Sequence, residues 1–376
     1  MKKRIFISIL SVCLFVFGVT FIRFNQQKVF AQAPSGQTDL IEATVTKVLE
    51  DDQIIPVGAT VLQPYQKLEL TITSGSQKGK KIIVENGSAP QANVQRYVLG
   101  DRLVLNHSND LQGKDEYLIA DYVRRGPLLL AFILFIFVAV AIGAKRGFMS
   151  LIGMGVSFGI IFLYTLPTIA HGGDPVTATI VSSLFIVPVT FYLSHGFNRK
   201  TTVAIAGTFL SLILTGILAN YFVSLARLNG YGSEEAGYLQ AYFPGKINIQ
   251  GLFLAGIIIG GVGVLNDITV SQAAIIAELR AASEKISFIE LYKRAMNVGH
   301  DHIASMINTL ILVYAGAAMP LLLLFIDNPQ PFSQIINYEF MAEEVVRTLV
   351  VSIGLILAVP ITTLLAAFVF SIRKKS

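Results

Sequence analysis

Two acids stand inside apolar stretches of this chain: Asp267 in GGVGVLNDITVSQAA, residues 260–274, and Asp301 in VGHDHIASMINTLILVYAGAAMP, residues 298–320. An ionisable group in such a run is costly to bury and marks an ion path, a proton relay or a paired charge. At about 100° per residue, Gly260, Gly263, Asp267, Ser271, Ala274 and Glu278 fall in one wedge. Asp301, Ser305 and Asn308 fall in another, with Thr309 beside them. Asn266, Asp267, Ser271 and Gln272, with Asp301, His302, Ser305, Asn308 and Thr309, form a candidate site for an ion or small solute. Gly256, Gly260, Gly261 and Gly263 lack Cβ atoms, so they suit close helix packing.

Other chemistries are poorly served. His300 and His302 are two apart and cannot share a helix face, and His107 has no clustered cysteine or acid, so no metal or other cofactor is expected. Two acids on consecutive spans could share a proton and activate water as a dyad, but Asp267 and Asp301 lack aspartyl-protease signatures. There is no GxSxG, HExxH or nucleotide-binding glycine-lysine loop either. The expected chain is not an enzyme. His195, beside Arg199 and Lys200, reads as an interfacial residue.

The elements that must position these residues follow from composition. The chain is 53% hydrophobic and 14% charged, with a mean hydropathy of +0.63 over 376 residues, which is far too apolar for a soluble surface. About 20 mostly apolar helical residues cross a bilayer core of about 30 Å. Such runs occur at 5–22, 126–144, 148–170, 176–194, 201–223, 251–271, 303–326 and 346–371. The expected fold is therefore an α-helical polytopic membrane protein of about seven or eight spans. Short-loop Lys and Arg residues, among them Lys145, Arg146, Arg199, Lys200, Arg280, Lys285, Lys293, Arg294 and Arg373, fall on one side if every span crosses once, and that side is cytoplasmic. A bacterial-type plasma membrane with a cytoplasmic C-terminus is expected. The net charge of +5 reflects topology rather than nucleic-acid binding.

Residues 1–31 are expected to be a membrane anchor or a signal segment cut near Ala31. Cys13, inside that segment, is the single cysteine and excludes an internal disulfide. Residues 32–122 change character. IEATVTKVLED, QKLELTITSG, KKIIVENG, DRLVLN and EYLIADYVRR alternate β-branched with polar residues between turn clusters. They predict a small extracytoplasmic all-β domain of five strands, of OB-like or similar build. Residues 123–376 form the transmembrane domain. Within it Pro188, Pro320, Pro360 and Pro167 should kink spans. Ser287 and Glu290, in capping-box spacing, predict a helix lying on the cytoplasmic surface.

GIIIGGVGVLNDITVSQAAIIAELR and VGHDHIASMINTLILVYAGAAMPLLLLF, with SEEAGYL ahead of them, closely resemble the signature region of the YibE/F-like membrane proteins. The resemblance implies an amino-terminal span, an exported segment and a multi-helix bundle, with permease-like character and no established substrate. Asp267, Gln272, Asp301, His302, Asn308 and Thr309 match the pattern. Asn266 stands where an acid is frequent and His300 where an arginine is frequent, which removes one charge of each sign.

The leading expectation is a transporter or permease of unknown cargo whose partners are the lipid bilayer and a small solute or ion. The alternative is a non-transporting accessory or assembly protein that grips an envelope partner, or a second copy of itself, through the exported β domain.

Overall fold

The computed structural model describes residues 39–91, 93–109, 115–323, 325, 326 and 330–372. The expected anchor at 5–22, the cut site near Ala31 and Cys13 lie outside these residues, as does the basic tail at Arg373, Lys374 and Lys375. The chain forms two compact units divided between residues 138 and 139.

In the first unit, strands β1 (Asp39–Ile54), β2 (Gln63–Ile72), β3 (Lys81–Asn86), β4 (Arg102–Asn109) and β5 (Asp115–Tyr122) fall where the alternating segments predict. They make one antiparallel sheet in the order β3-β2-β1-β4-β5, curled into a half-barrel. Alternation decides which side is filled. Leu68, Leu70 and Ile72 of β2, Ile82 and Val84 of β3, Ile41, Ala43 and Val45 of β1, and Leu103 and Leu105 of β4 all point inward. Irregularities at Val45/Lys47 and Val48/Glu50 bend β1 in the manner of bulges.

Polar side chains tie β5 to the residue that enters β3. Lys80 Nζ donates to Asp115 Oδ2 at 2.8 Å and to the Tyr117 hydroxyl at 3.1 Å, and His107 Nε2 lies 2.8 Å from Asp115 Oδ1. The hydrogen bond from Lys80, followed by that from His107, holds the Asp115 carboxyl well below the usual carboxylate range. A depressed folded-state pKa contributes stability that is present above the unfolded value, about 3.9, and is lost as pH falls toward the folded one. Asp115→Asn should therefore lose amide-exchange protection at Leu118 and Ile119 at neutral pH, and the gap to wild type should close below about pH 4. A gap independent of pH would contradict this account.

A helical tract follows directly. Helix α1 (Arg125–Ile160) leads through a wide π turn, Ile161–Thr165, into α2 (Leu166–Ala170). Pro167 supplies the physical reason for that turn: its ring and missing N–H spoil the ordinary ladder, and Leu166 N–H reaches back to Ile161. The tract of 46 residues counts as one apolar helix. It is not one straight rod: an added Cβ on Gly147 would collide with the Ala139 carbonyl, so the chain bends back sharply between two helical parts. It breaks at Ala144 (φ 47°, ψ −132°), at the junction of the two spans expected at 126–144 and 148–170.

The remaining elements are α3 (Pro175–His195), α4 (Arg199–Leu225), α5 (Glu234–Tyr242), α6 (Ile249–Ala282), α7 (Phe288–Ala317), α8 (Met319–Leu323), α9 (Phe332–Ile335) and α10 (Glu339–Ser371). Asp174, Asn198, Ser233, Asn248 and Ser287 cap five of them by accepting a backbone N–H three residues on. Gly196, at φ 77°, ends α3 in a conformation that side chains with a Cβ resist.

Among the described residues, five helices are long and apolar enough to cross a membrane: Arg125–Ala170, α3, α4, α6 and α10. The run at 303–326 is not one of them. Pro320 follows a helix that stops at Ala317, so its continuous part from residue 303 is about 22 Å long, shorter than the core. The expected separate surface helix is corrected as well. Ser287 caps α7 itself, and since no strong breaker follows, the helix runs through His300 without interruption.

Candidate functional site

The helical unit is centred on α4, α6 and α10, which pack against one another; α3 lies on α6, and α7 lies mainly on α10. The close approach of α4 and α10 rests on two reciprocal pairs. A Cβ on Gly207 would collide with the Thr362 side chain, and one on Gly354 would collide with Thr215. The pairs run in opposite chain directions, so the helices are antiparallel, and each glycine makes room for the threonine opposite.

Polar side chains consequently lie inside. Thr208, Ser211 and Thr215 of α4, Thr269 and Gln272 of α6, and Thr362 and Thr363 of α10 are all 1% exposed or less. Thr208 and Thr269 share a hydrogen bond of 2.7 Å across α4 and α6. Thr363 donates to Gln272 Oε1 at 3.0 Å across α10 and α6. Ser211 and Thr215 each donate to the carbonyl four residues back. Their protons are thus committed to their own helices, and the oxygens facing the interior are left as acceptors. Such a seam suits a cation or a hydrogen-bond donor.

Four polar atoms of this region are buried with no hydrogen-bond partner among the described residues: Gln272 Nε2, Thr362 Oγ1, Asn266 Oδ1 and His302 Nδ1. An unpaired buried polar group costs about 1–3 kcal/mol, so each requires an explanation. Gly299 of α7 sits over Gln272, where an added Cβ would lie 3.2 Å from Nε2 and 2.7 Å from a methyl of Val359. His302, one turn beyond Gly299, turns its Nδ1 inward.

The expected stripes fare unevenly. Gln272 is fully buried, and Asn266, Ser271 and His302 are half-buried. Asp267, Asp301, Ser305, Asn308 and Thr309 are exposed on the surface of the unit, and no hydrogen bond among the described residues joins the two stripes. Asp267 is within electrostatic reach of His195. Of the glycines, Gly260 faces the Tyr314 hydroxyl and Gly261 faces Leu212, whereas an added Cβ at Gly256 or Gly263 would meet nothing within 4 Å.

Sequence reasoning passed over two groups. The seam threonines follow a small-residue period, with Ala204, Gly207 or Thr208, Ser211, Thr215 and Ala219 at intervals of three or four, a signal for helix contact that was available. Glu339, Glu343 and Arg347 of α10 were also missed. Glu339 accepts from the backbone of Asn229 and Gly230, the buried Glu343 accepts from Gly232 N–H at 3.0 Å, and Arg347 lies over the Phe253 ring at 5.1 Å. Arg347 stands in an otherwise apolar run, and that was the clue.

The profile of the family described as YibE/F-like protein matches residues 131–372, well over half of the chain. The chain belongs to the YibE/F-like family. No curated protein and no solved structure matches it. The YibE/F-like region contains the whole seam as well as Glu343 and Arg347, while all five strands precede it. Membership and the five apolar helices make this YibE/F-like chain a membrane protein.

Proposed function

We propose that this YibE/F-like protein is a transport-type membrane protein that passes a small cation, a proton or a small hydrogen-bond donor along the α4–α6–α10 seam. The observation that carries this reading is the set of buried acceptors centred on the Thr208–Thr269 and Thr363–Gln272 contacts, accompanied by unpaired buried atoms. A core built only for stability gains little from such groups. Hydroxyl and amide groups commonly pair across membrane helices, and the buried atoms here that stay unpaired among the described residues are open to a substrate or ion. The strand order, with β1 central and β3 and β5 at the edges, agrees with OB-like connectivity. By the distribution of basic loops, the β unit faces out of the cell and the short basic loops face the cytoplasm. Asp267 and Asp301 then form a charged approach on the cytoplasmic side rather than the binding centre. On this reading the chain has no catalytic residue.

The test is electrical. The full chain is reconstituted in liposomes on a solid-supported membrane and subjected to steps of sodium, potassium and pH. Wild type should give a current on at least one step, and Thr208→Val combined with Thr269→Val should lower it roughly tenfold, the effect of about 1.4 kcal/mol. Asp267→Asn should lower it only about twofold, because Asp267 lies outside the buried seam. Currents no larger than those of protein-free liposomes, or a double variant equal to wild type, would refute the reading.

A further inference from the structure

One end of the β unit is built differently from the other. β4 starts there at Arg102 and β5 finishes there, with Leu103 opposite Tyr122 and Val123 N–H donating to Arg102 O at 2.8 Å. Helix α1 begins three residues after Tyr122, and Arg125 is held to Glu42 of β1. The first part of that helix, which belongs to the same compact unit as far as Val138, is apolar and uncovered: Leu128, Leu129, Leu130, Phe132, Phe135 and Phe137 are all exposed. A helix of this composition has lipid as its natural surroundings.

At the same end sits a tight turn, Val98–Asp101. Asp101 N–H donates to Val98 O, Val98 N–H donates to the Asp101 carboxylate, and Gly100 takes φ 92°. The turn is anchored to β1 by Gly100 N–H to Val45 O at 2.9 Å, and beside it the Tyr97 and Tyr122 rings lie 5.1 Å apart. Its apex is Val98 and Leu99, 63% and 70% exposed. Fixing two large apolar side chains in water on a rigid turn gains nothing for folding. Near this end of the sheet stand Arg96, Arg102, Arg124 and Arg125, all exposed and each in a surface ion pair, with Asp51, Glu42, Asp121 and Glu42 respectively; such exposed pairs are weak and leave guanidinium N–H groups free, and Arg124 also lies over the Tyr122 ring. Arginine and tyrosine surrounding an apolar tip match the chemistry of the membrane interface, where guanidinium groups meet lipid phosphates and the tip meets acyl chains.

We propose that the Val98–Leu99 turn is a lipid-binding element that seats this end of the β unit in the bilayer leaflet entered by α1. The occupant is the phospholipid surface itself, recognised by the apolar apex through acyl chains and by the arginine rim through phosphate. The opposite end has no comparable turn among the described residues. Leu40, exposed and paired with Asn106, lies about 10 Å further along the sheet than the Leu103–Tyr122 pair, away from the turn.

The chain contains no tryptophan, so a single indole reports its own surroundings. Leu99→Trp, and separately Val98→Trp, are made in the full chain and placed in phosphatidylcholine liposomes with or without brominated acyl chains. Both indoles should lose most of their emission in brominated lipid and emit at shorter wavelength than in denaturant, while Leu40→Trp should lose almost none. If the Leu99 and Val98 reporters are no more quenched than the Leu40 reporter, whether because all stay bright or because all are quenched alike, the proposal is overturned. The result does not depend on the cargo, so it stands or falls separately from the transport reading.

Discussion

Gln272→Met should abolish transport in the full-length protein while leaving it as stable as wild type, or more so. Gln272 is fully buried; its Oε1 accepts from Thr363, and its Nε2 has no partner among the described residues. An unbranched apolar side chain of similar volume removes the unpaired donor, and Thr363 keeps its second acceptor, the Val359 carbonyl at 2.7 Å. The expected change in unfolding free energy is therefore between zero and a gain of about 2 kcal/mol. The cargo, by contrast, loses Gln272 Oε1, an acceptor on the seam with a second lone pair beyond the one that Thr363 uses. Loss of one such partner in a buried polar site costs about 2–3 kcal/mol, roughly 100-fold in rate. The two readouts are current in proteoliposomes and thermal unfolding in detergent. A parallel fall in both would mark Gln272 as a structural residue and remove the central support for the seam.

The second large effect concerns the joint that forms the seam. Gly354→Leu should destabilise the helical unit by about 3 kcal/mol or more, because overpacking a filled contact forces off-rotamer side chains and shifts backbone. A Cβ at 354 would meet the Thr215 hydroxyl at less than any permissible separation, with the Thr215 Cβ at 3.1 Å and its methyl at 3.2 Å. The neighbour is a short branched side chain held by its bond to Ser211 O at 2.8 Å, so it cannot swing away cheaply. The smaller change Gly354→Ala should be partly rescued by Thr215→Gly, and a double-mutant cycle should show a coupling of about 1–2 kcal/mol. Additive effects would mean that α4 and α10 do not meet at this pair. Gly256→Ala is the contrast: with nothing within 4 Å of its Cβ, it should gain about 0.5–1 kcal/mol from helix propensity alone.

The glycine-rich stretch of α6 shows why the site was only partly legible. Helical periodicity places Asp267 and Ser271 on one edge and Asn266 and Gln272 off it. Periodicity gives the angle of a side chain about its own helix, but not which neighbour covers that angle. Gln272 stands out in the sequence only as an adjunct to the acid at 267, yet it is the residue whose polar end is buried against another helix. Thr208, Thr362 and Thr363 do not stand out at all, since a threonine in an apolar span is ordinary until its partner is known. Charge is the stronger signal in the sequence, and it directs attention to exposed positions such as Asp267 and Asp301.

The strands are easier to read. Period-two alternation in KLELTI and KIIVEN determines both the element and its buried face, because successive side chains must point to opposite sides of a sheet. Apolar length likewise determines α3, α4, α6 and α10, since an unbroken run of that size has few stable alternatives to a helix in lipid.

Local rules, then, dictated by sequence alone that the chain lies in a membrane, where its main helices and strands run, and to which family it belongs. Tertiary structure decided that α7 stops short at Ala317, that Gly207 and Gly354 admit the threonines of the opposing helix, and that the interior polar line runs through α4, α6 and α10 rather than between the two acidic stripes. Those outcomes depend on distances between side chains far apart in the chain. Each is set by how closely two helix backbones can approach, a quantity that no single helix encodes.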